Sequence, residues 1–146
     1  MFKRSFITLC LLAGAAALTG CASQSKAMLT PGSDLSKIRT VYVVKQPKDN
    51  KDIDDMFRVA LEKRGITVIK GPELSMAYPA DAALTYVDRW NWDITMYMIE
   101  LTVNMRDPKS GFPLAMGNAM HTSFNRKSPP VMVDEVLNNM FNAPKQ

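Results

Sequence analysis

The sequence predicts an α+β fold, a two-layer sandwich in which one mixed sheet of about five strands carries two helices on one face. Three observations lead there. Residues 53–61 and 133–141 each repeat apolar side chains at helical spacing, and residues 38–70 read as strand, helix, strand. From residue 82 onward the period shortens to two, with apolar and polar side chains alternating over long segments. A period of two marks strands with one buried and one wet face, whereas a period of 3.6 marks helices with one buried stripe. Two single-striped helices and a one-faced sheet bury their apolar sides against each other, giving an approximate order β-α-β-β-β-β-α.

The elements follow in chain order. Ile38 to Lys45, rich in Val and Tyr, reads as the first strand, and Pro47 stops it. Asp49 or Asn50 is placed to cap a helix in which Ile53, Met56, Phe57, Ala60 and Leu61 make one stripe, and Gly65 is placed to end it. Ile66 to Lys70 returns as a strand closed by Gly71-Pro72, so a parallel βαβ unit is the economical arrangement. Glu73 to Ala80 reads as a loop. Three alternating strands are then expected at Ala82–Arg89, Ile94–Arg106 and Leu114–Phe124. In the middle one Tyr97, Ile99, Leu101, Val103 and Met105 should share a face. Asp107-Pro108-Lys109-Ser110-Gly111 is a turn sequence joining the last two strands as a hairpin. Pro129-Pro130 opens the final helix, whose stripe is Val133, Val136, Leu137, Met140 and Phe141.

The first residues read as an address. Lys3 and Arg4 precede an apolar run from Phe6 to Leu18 that is short and rich in Ala and Gly, the plan of a secretory signal rather than of a spanning helix. The run ends in Leu18-Thr19-Gly20-Cys21, which resembles the lipobox of bacterial lipoproteins: an aliphatic residue, a small one, Gly or Ala, then Cys. The resemblance implies cleavage before Cys21 and acylation of its thiol, and each buried CH₂ of the acyl chains would contribute about 0.8 kcal/mol to membrane attachment. The alternative is an ordinary cleaved signal followed by a chance cysteine. Ala22, a residue other than Asp after the anchor, implies by the same resemblance the outer membrane, on its periplasmic face.

Three segments follow from this reading: a signal at residues 1–20, an acylated Cys21 with a flexible tether through residue 36, and one periplasmic domain from 37 to 146. Cleavage removes 20 of the 146 residues and leaves 126, enough for one core. The net charge of +4 loses Lys3 and Arg4 and becomes +2, with the remaining basic residues scattered among acids. That distribution argues against a nucleic-acid partner. Cys10 leaves with the signal and Cys21 takes the lipid, so no disulfide within the domain is expected.

The stretch from Ile38 to Phe141 also has a recognisable layout: Ala80-Asp81-Ala82-Ala83-Leu84-Thr85-Tyr86, a Trp-x-Trp-Asp corner at Trp90 to Asp93, and an Asp-Pro-x-x-Gly hairpin. In that layout the chain resembles small lipoproteins of Gram-negative bacteria whose role is not characterised. It is also similar to accessory envelope lipoproteins that pair a βαβ unit with an antiparallel sheet. The resemblance bears on compartment and fold and brings no catalytic residue with it.

The side chains that could carry chemistry are few. One histidine, His121, lies beside Met120 and Thr122 with no Ser or acid at motif spacing, and reads as a surface or edge-strand residue rather than a general base. Asp52, Asp54 and Asp55 fall in a first helical turn, where negative charge complements the helix dipole. The glycines are isolated, so no phosphate-cradling loop is expected. Neither a catalytic residue, a metal site nor a cofactor is expected. Most of the eleven methionines read as packing residues, with Met96, Met98, Met116, Met120 and Met132 left open between core and an adaptable surface.

The candidate binding residues are Arg89, Trp90, Trp92, Asp93 and Tyr97, at the corner between two strands. Indoles there can stack on a ligand or partner while Arg89 and Asp93 supply directional hydrogen bonds. Alternatively Trp90 and Trp92, two residues apart, point the same way and cap the end of the core. The function expected is that of a membrane-anchored, non-enzymatic interaction module with an envelope protein partner. The alternative is a binder of a small glycan, peptide or lipid.

Overall fold

The computed structural model describes residues 23–75 and 77–144. The signal, Cys21 and Ala22 lie outside the described residues. The order is β1 (Gln24–Leu29), β2 (Thr40–Val44), α1 (Ile53–Glu62), β3 (Thr67–Gly71), β4 (Ala82–Trp92), β5 (Met96–Arg106), β6 (Pro113–Met120) and α2 (Pro129–Phe141). One mixed sheet of six strands runs β1-β6-β5-β4-β2-β3. Strand β2 is parallel to both β3 and β4, and every other pairing is antiparallel. The α+β architecture is the one the sequence predicts.

The sixth strand corrects the expectation of a tether. Residues 24–29 pair along their whole length with β6, Gln24 opposite Met120 and Leu29 opposite Ala115. They alternate as the other strands do, with Leu29 buried and Gln24, Lys26 and Met28 exposed. With two apolar residues on the inner face, Ala27 and Leu29, the alternation is faint in the sequence. The ladder hydrogen bonds of an open β6 edge supply what side-chain burial does not.

Both helices cover one face. Helix α1 lies on β2 and β3, α2 lies on β1, β5 and β6, and the helices touch each other. Ile53, Phe57 and Leu61 of α1 and Met132, Val133, Val136, Leu137 and Met140 of α2 are fully buried against Val41, Val43, Leu84, Tyr86, Leu101, Val103 and Met105 of the sheet. Each such aliphatic or aromatic side chain contributes roughly 1.5–3 kcal/mol of transfer free energy. Met98, Met105 and Met132 thus belong to the core, while Met96 and Met116 stand exposed. Gly117 lets α2 come close: a Cβ there would lie 2.7 Å from Val136 Cγ1 and 2.8 Å from Met140 Cγ.

Two local details depart from the sequence pattern. The cap of α1 is Asp52, in the left-handed region at φ 54°, rather than Asp49 or Asn50. Asp49 still serves the helix start, because its Oδ2 accepts the Asp54 N–H at 3.2 Å. The second is a β-bulge. Arg89 faces Glu100 but Trp90 faces Met98, which leaves Ile99 as the extra residue of β5. The bulge reverses the facing of everything beyond it, so Met98, not Ile99, continues the buried row of Leu101, Val103 and Met105, and Met98 is 1% exposed.

Candidate functional site

The β4–β5 corner brings its predicted residues onto one hairpin but divides them among four environments. Arg89 pairs across the ladder with Glu100 at 3.2 Å. Trp90 is half-buried against the core, and its Nε1–H donates to Asp88 Oδ2 at 2.6 Å. Trp92, two residues on, is 66% exposed, so the two indoles do not jointly cap the core.

Asp93 and Tyr97 meet through a residue that sequence reasoning missed. Arg126, in the segment after β6, pairs with Asp93, donates from Nη1 to Thr95 Oγ1 at 3.0 Å, and lies over the Tyr97 ring at 4.2 Å from its centroid. The backbone N–H of Ile94, then Arg126, hold the Asp93 carboxyl below its ordinary range. Asn91 Nδ2 donates to the Tyr97 hydroxyl at 3.2 Å. The partner lies 33 residues from Asp93, beyond the reach of spacing arguments.

Trp90 also walls a groove of about 500 Å³ between β4 and the segment after β2, where Lys48, Asp49, Asn50 and Lys51 form the opposite side. Lys51 Nζ stands 5.4 Å from the Trp90 ring centroid. At the floor, the Tyr86 hydroxyl donates to Asp49 Oδ2 at 2.7 Å. Burial, then that carboxylate, push the Tyr86 phenol far up. Burial alone would raise Asp49, yet the bonds from Tyr86 and from the N–H groups of Lys51, Asp54 and Ile53 outweigh it and hold the carboxyl down. The groove thus offers an indole edge, two lysines and a fixed carboxylate.

His121 is not the surface or edge residue the sequence suggested. It is 3% exposed at the end of β6, inside the sheet because β1 occupies the edge. Its Nε2 lies 2.9 Å from Glu135 Oε2 of α2, which also accepts from Lys127 Nζ at 2.8 Å, and Nδ1 has no hydrogen-bond partner. Burial raises the Glu135 carboxyl, but Lys127, His121 and the Ser25 hydroxyl of β1 more than offset it and hold it below its ordinary range. Asn139 Nδ2 donates to Ser25 Oγ at 2.5 Å. This cluster fastens β1 and the end of β6 to α2, a polar staple beneath the surface.

Of the three aspartates, Asp54 and Asp55 do lie in the first turn of α1, but Asp54 is buried. Its Oδ2 is 3.0 Å from Lys70 Nζ and 3.8 Å from Lys45 Nζ, so two ammonium groups partner the buried carboxylate. Among the described residues no group of three His, Cys, Asp or Glu is arranged to hold a metal ion.

The second face of the sheet carries no helix. Its rows are Val87, Thr102, Asn118 and Lys26, then Thr85, Asn104, Met116 and Met28, read across β4, β5, β6 and β1. Val87, Met28 and Met116 are 63%, 62% and 45% exposed. Asn118 Nδ2 donates to Glu100 Oε1 at 2.9 Å and Thr102 Oγ1 at 2.8 Å, so the polar groups between them are already ordered.

No family model matches the chain, and no curated protein matches it. Solved structures share its fold. The PelC dodecamer from Paraburkholderia phytofirmans is similar at a TM-score of 0.59 and 16% identity, over 80% of this chain and 96% of that one. A point variant of the same dodecamer gives 0.58 over 83% and 100%. A PDZ domain protein from Parabacteroides distasonis gives 0.53 at 12% identity, over 85% of this chain but 36% of that one. At these identities the likeness is one of fold.

Proposed function

We propose that the protein is an exported lipoprotein, anchored through Cys21 at the periplasmic face of the outer membrane, that works as a non-enzymatic interaction module of the envelope. The observation that carries it is the part of the second sheet face across β4, β5, β6 and β1, where Val87, Met116 and Met28 stand exposed; over β2 the same face is closed by Pro72 and Tyr78 packed on Tyr42. A six-stranded sheet in a two-layer fold leaves one side without a helix, and here that side alternates exposed Val and Met with Asn, Thr and Glu groups already bonded to one another. Apolar contacts set among preordered polar ones are the composition of a protein interface core and rim. The lipobox supplies the anchor, and the short path from Cys21 to β1 would keep the domain close to the membrane. The partner is an envelope protein.

The test is a photocrosslinking residue placed at Val87 or Met116 on the open face and, as control, at Val59 on α1, in the native host. Discrete adducts from the open face and none from Val59 are expected. Equal labelling at all three positions, or none at the open face, overturns the reading. Adducts in whole multiples of the chain would identify the partner as further copies, an arrangement for which the PelC dodecamer is the precedent in this fold.

A second reading rests on the Trp90 groove, which has the volume and the indole wall of a small-ligand site. In that case glycan or peptide fragments would quench or shift Trp90 emission at saturable concentration, and Lys51→Ala would weaken the effect. Emission unchanged by either ligand class removes this reading.

A further inference from the structure

We infer that the end of the domain formed by the β4–β5 hairpin tip and the turn at 123–125 is a lipid-contacting surface that seats in the bilayer interface. The inference rests on the proposed anchor at Cys21.

Exposure comes first. Ile94 is 88% exposed, Trp92 66%, Met96 52% and Phe124 fully, and all four belong to this one end. Trp92 and Met96 are direct cross-strand partners, and Ile94 sits in the turn between them. Arg126 ties that turn to the segment bearing Phe124 through its contacts with Asp93, Thr95 and the Ser123 carbonyl. Single exposed apolar residues are ordinary, but several converging on one tip call for a partner that covers them.

The position of the proposed anchor decides which partner. Asn125 Nδ2 donates to Ser23 Oγ at 3.2 Å, which fixes the beginning of the described chain against the Phe124 turn. Cys21 is two residues earlier, so covalent geometry keeps its Cα within about 7 Å of the Ser23 Cα. A lipid on Cys21 therefore enters the membrane beside Phe124 and the hairpin tip, and the bilayer is the surface these side chains meet. Trp and Phe settle at the boundary of headgroups and acyl chains, and Ile and Met add apolar area that is buried there. Asp93, the acid at the tip, is already paired with Arg126, so no lone carboxylate opposes the approach. A protein partner fits less well, because stable protein interfaces recruit roughly 20–30 residues a side and this tip offers a handful.

The test uses the full chain produced in a Gram-negative host and purified from its membranes. It is reconstituted in phosphatidylethanolamine and phosphatidylglycerol vesicles with or without brominated acyl chains. The Trp90→Phe variant leaves Trp92 as the one indole, and Trp92→Phe leaves Trp90. Brominated lipid should remove roughly half or more of the Trp92 emission, since interfacial insertion reaches about 5–10 Å, and leave Trp90 far less affected. An Ile94→Cys variant carrying a polarity-sensitive dye should report the same transfer with no change to the indoles. Trp92 that stays quenchable by aqueous acrylamide and insensitive to bromine overturns the inference. So does protection that persists in detergent and rises with protein concentration, which would assign the tip to a second copy. Intact mass of the same sample separates the two claims. A lipid adduct on a chain lacking residues 1–20, with an unquenched Trp92, refutes the membrane-contacting tip alone, whereas an unmodified chain refutes the anchor.

Discussion

Replacing Lys70 by Met removes the nearer cation from a buried carboxylate. Asp54 is 1% exposed, with Lys70 Nζ at 3.0 Å and the more distant Lys45 at 3.8 Å. Stripping one partner from a buried ion pair costs about 3–5 kcal/mol, because the other charge stays desolvated. Here the figure is lower: the Lys70 side chain is 30% exposed, and Lys45 remains as a half-exposed second cation. About 2–3 kcal/mol is the expected loss, which for a domain of this size lowers the melting temperature by about 10 °C. Adding Asp54→Leu to Lys70→Met should recover most of that loss, since the orphaned charge goes with it. Thermal unfolding of wild type, both single variants and the double variant closes the cycle. The reasoning fails if Lys70→Met costs no more than a surface change, about 0.5 kcal/mol, or if the two substitutions simply add.

Other consequences follow from the same geometry. Arg126→Ala should speed amide hydrogen exchange at residues 93–97 without moving exchange in α1, and Arg126→Lys should restore it partly, because an ammonium lacks the planar fork that spans Thr95 and Asp93. Unchanged exchange at the tip would contradict this. Gly117→Val should destabilise by about 1–3 kcal/mol through overpacking against Val136 and Met140, read from the urea midpoint. A neutral result would mean that α2 gives way freely. Glu135 has a folded pKa below its ordinary 4.5, so its contribution is present above that value and is lost as pH falls through the lower folded pKa. Glu135→Gln should therefore flatten the loss of stability on acidification, and an unaltered pH profile would show the staple to be inert.

The sequence shows most clearly those elements whose side chains face a single core. The stripes of both helices, the strands from residue 82 onward and the Asp107 turn were all legible from period and turn chemistry. Strand β1 was not, because its inward residues include only Ala27 and Leu29 and its stability comes from ladder bonds to β6, a partner about ninety positions away. The same strand explains the misreading of His121: once β1 takes the edge, the end of β6 becomes interior, and an acid fourteen residues on completes the pair. The bulge at Ile99 inverts an alternation that a strict period of two cannot anticipate. Of the candidate corner, Arg89, Trp90, Trp92, Asp93 and Tyr97 were visible as a cluster. Their division into a ladder ion pair, a groove wall, an exposed tip and an Arg126 clamp depends on that bulge and on a segment distant in sequence.

The most direct test of the account is fractionation of wild type and Cys21→Ser from the native host, with palmitate labelling of both. The account predicts labelled wild type in the outer membrane, and unlabelled Cys21→Ser retained in precursor length or released to the soluble fraction. Wild type that carries no label, or Cys21→Ser that is labelled and fractionates with the outer membrane as wild type does, would contradict it.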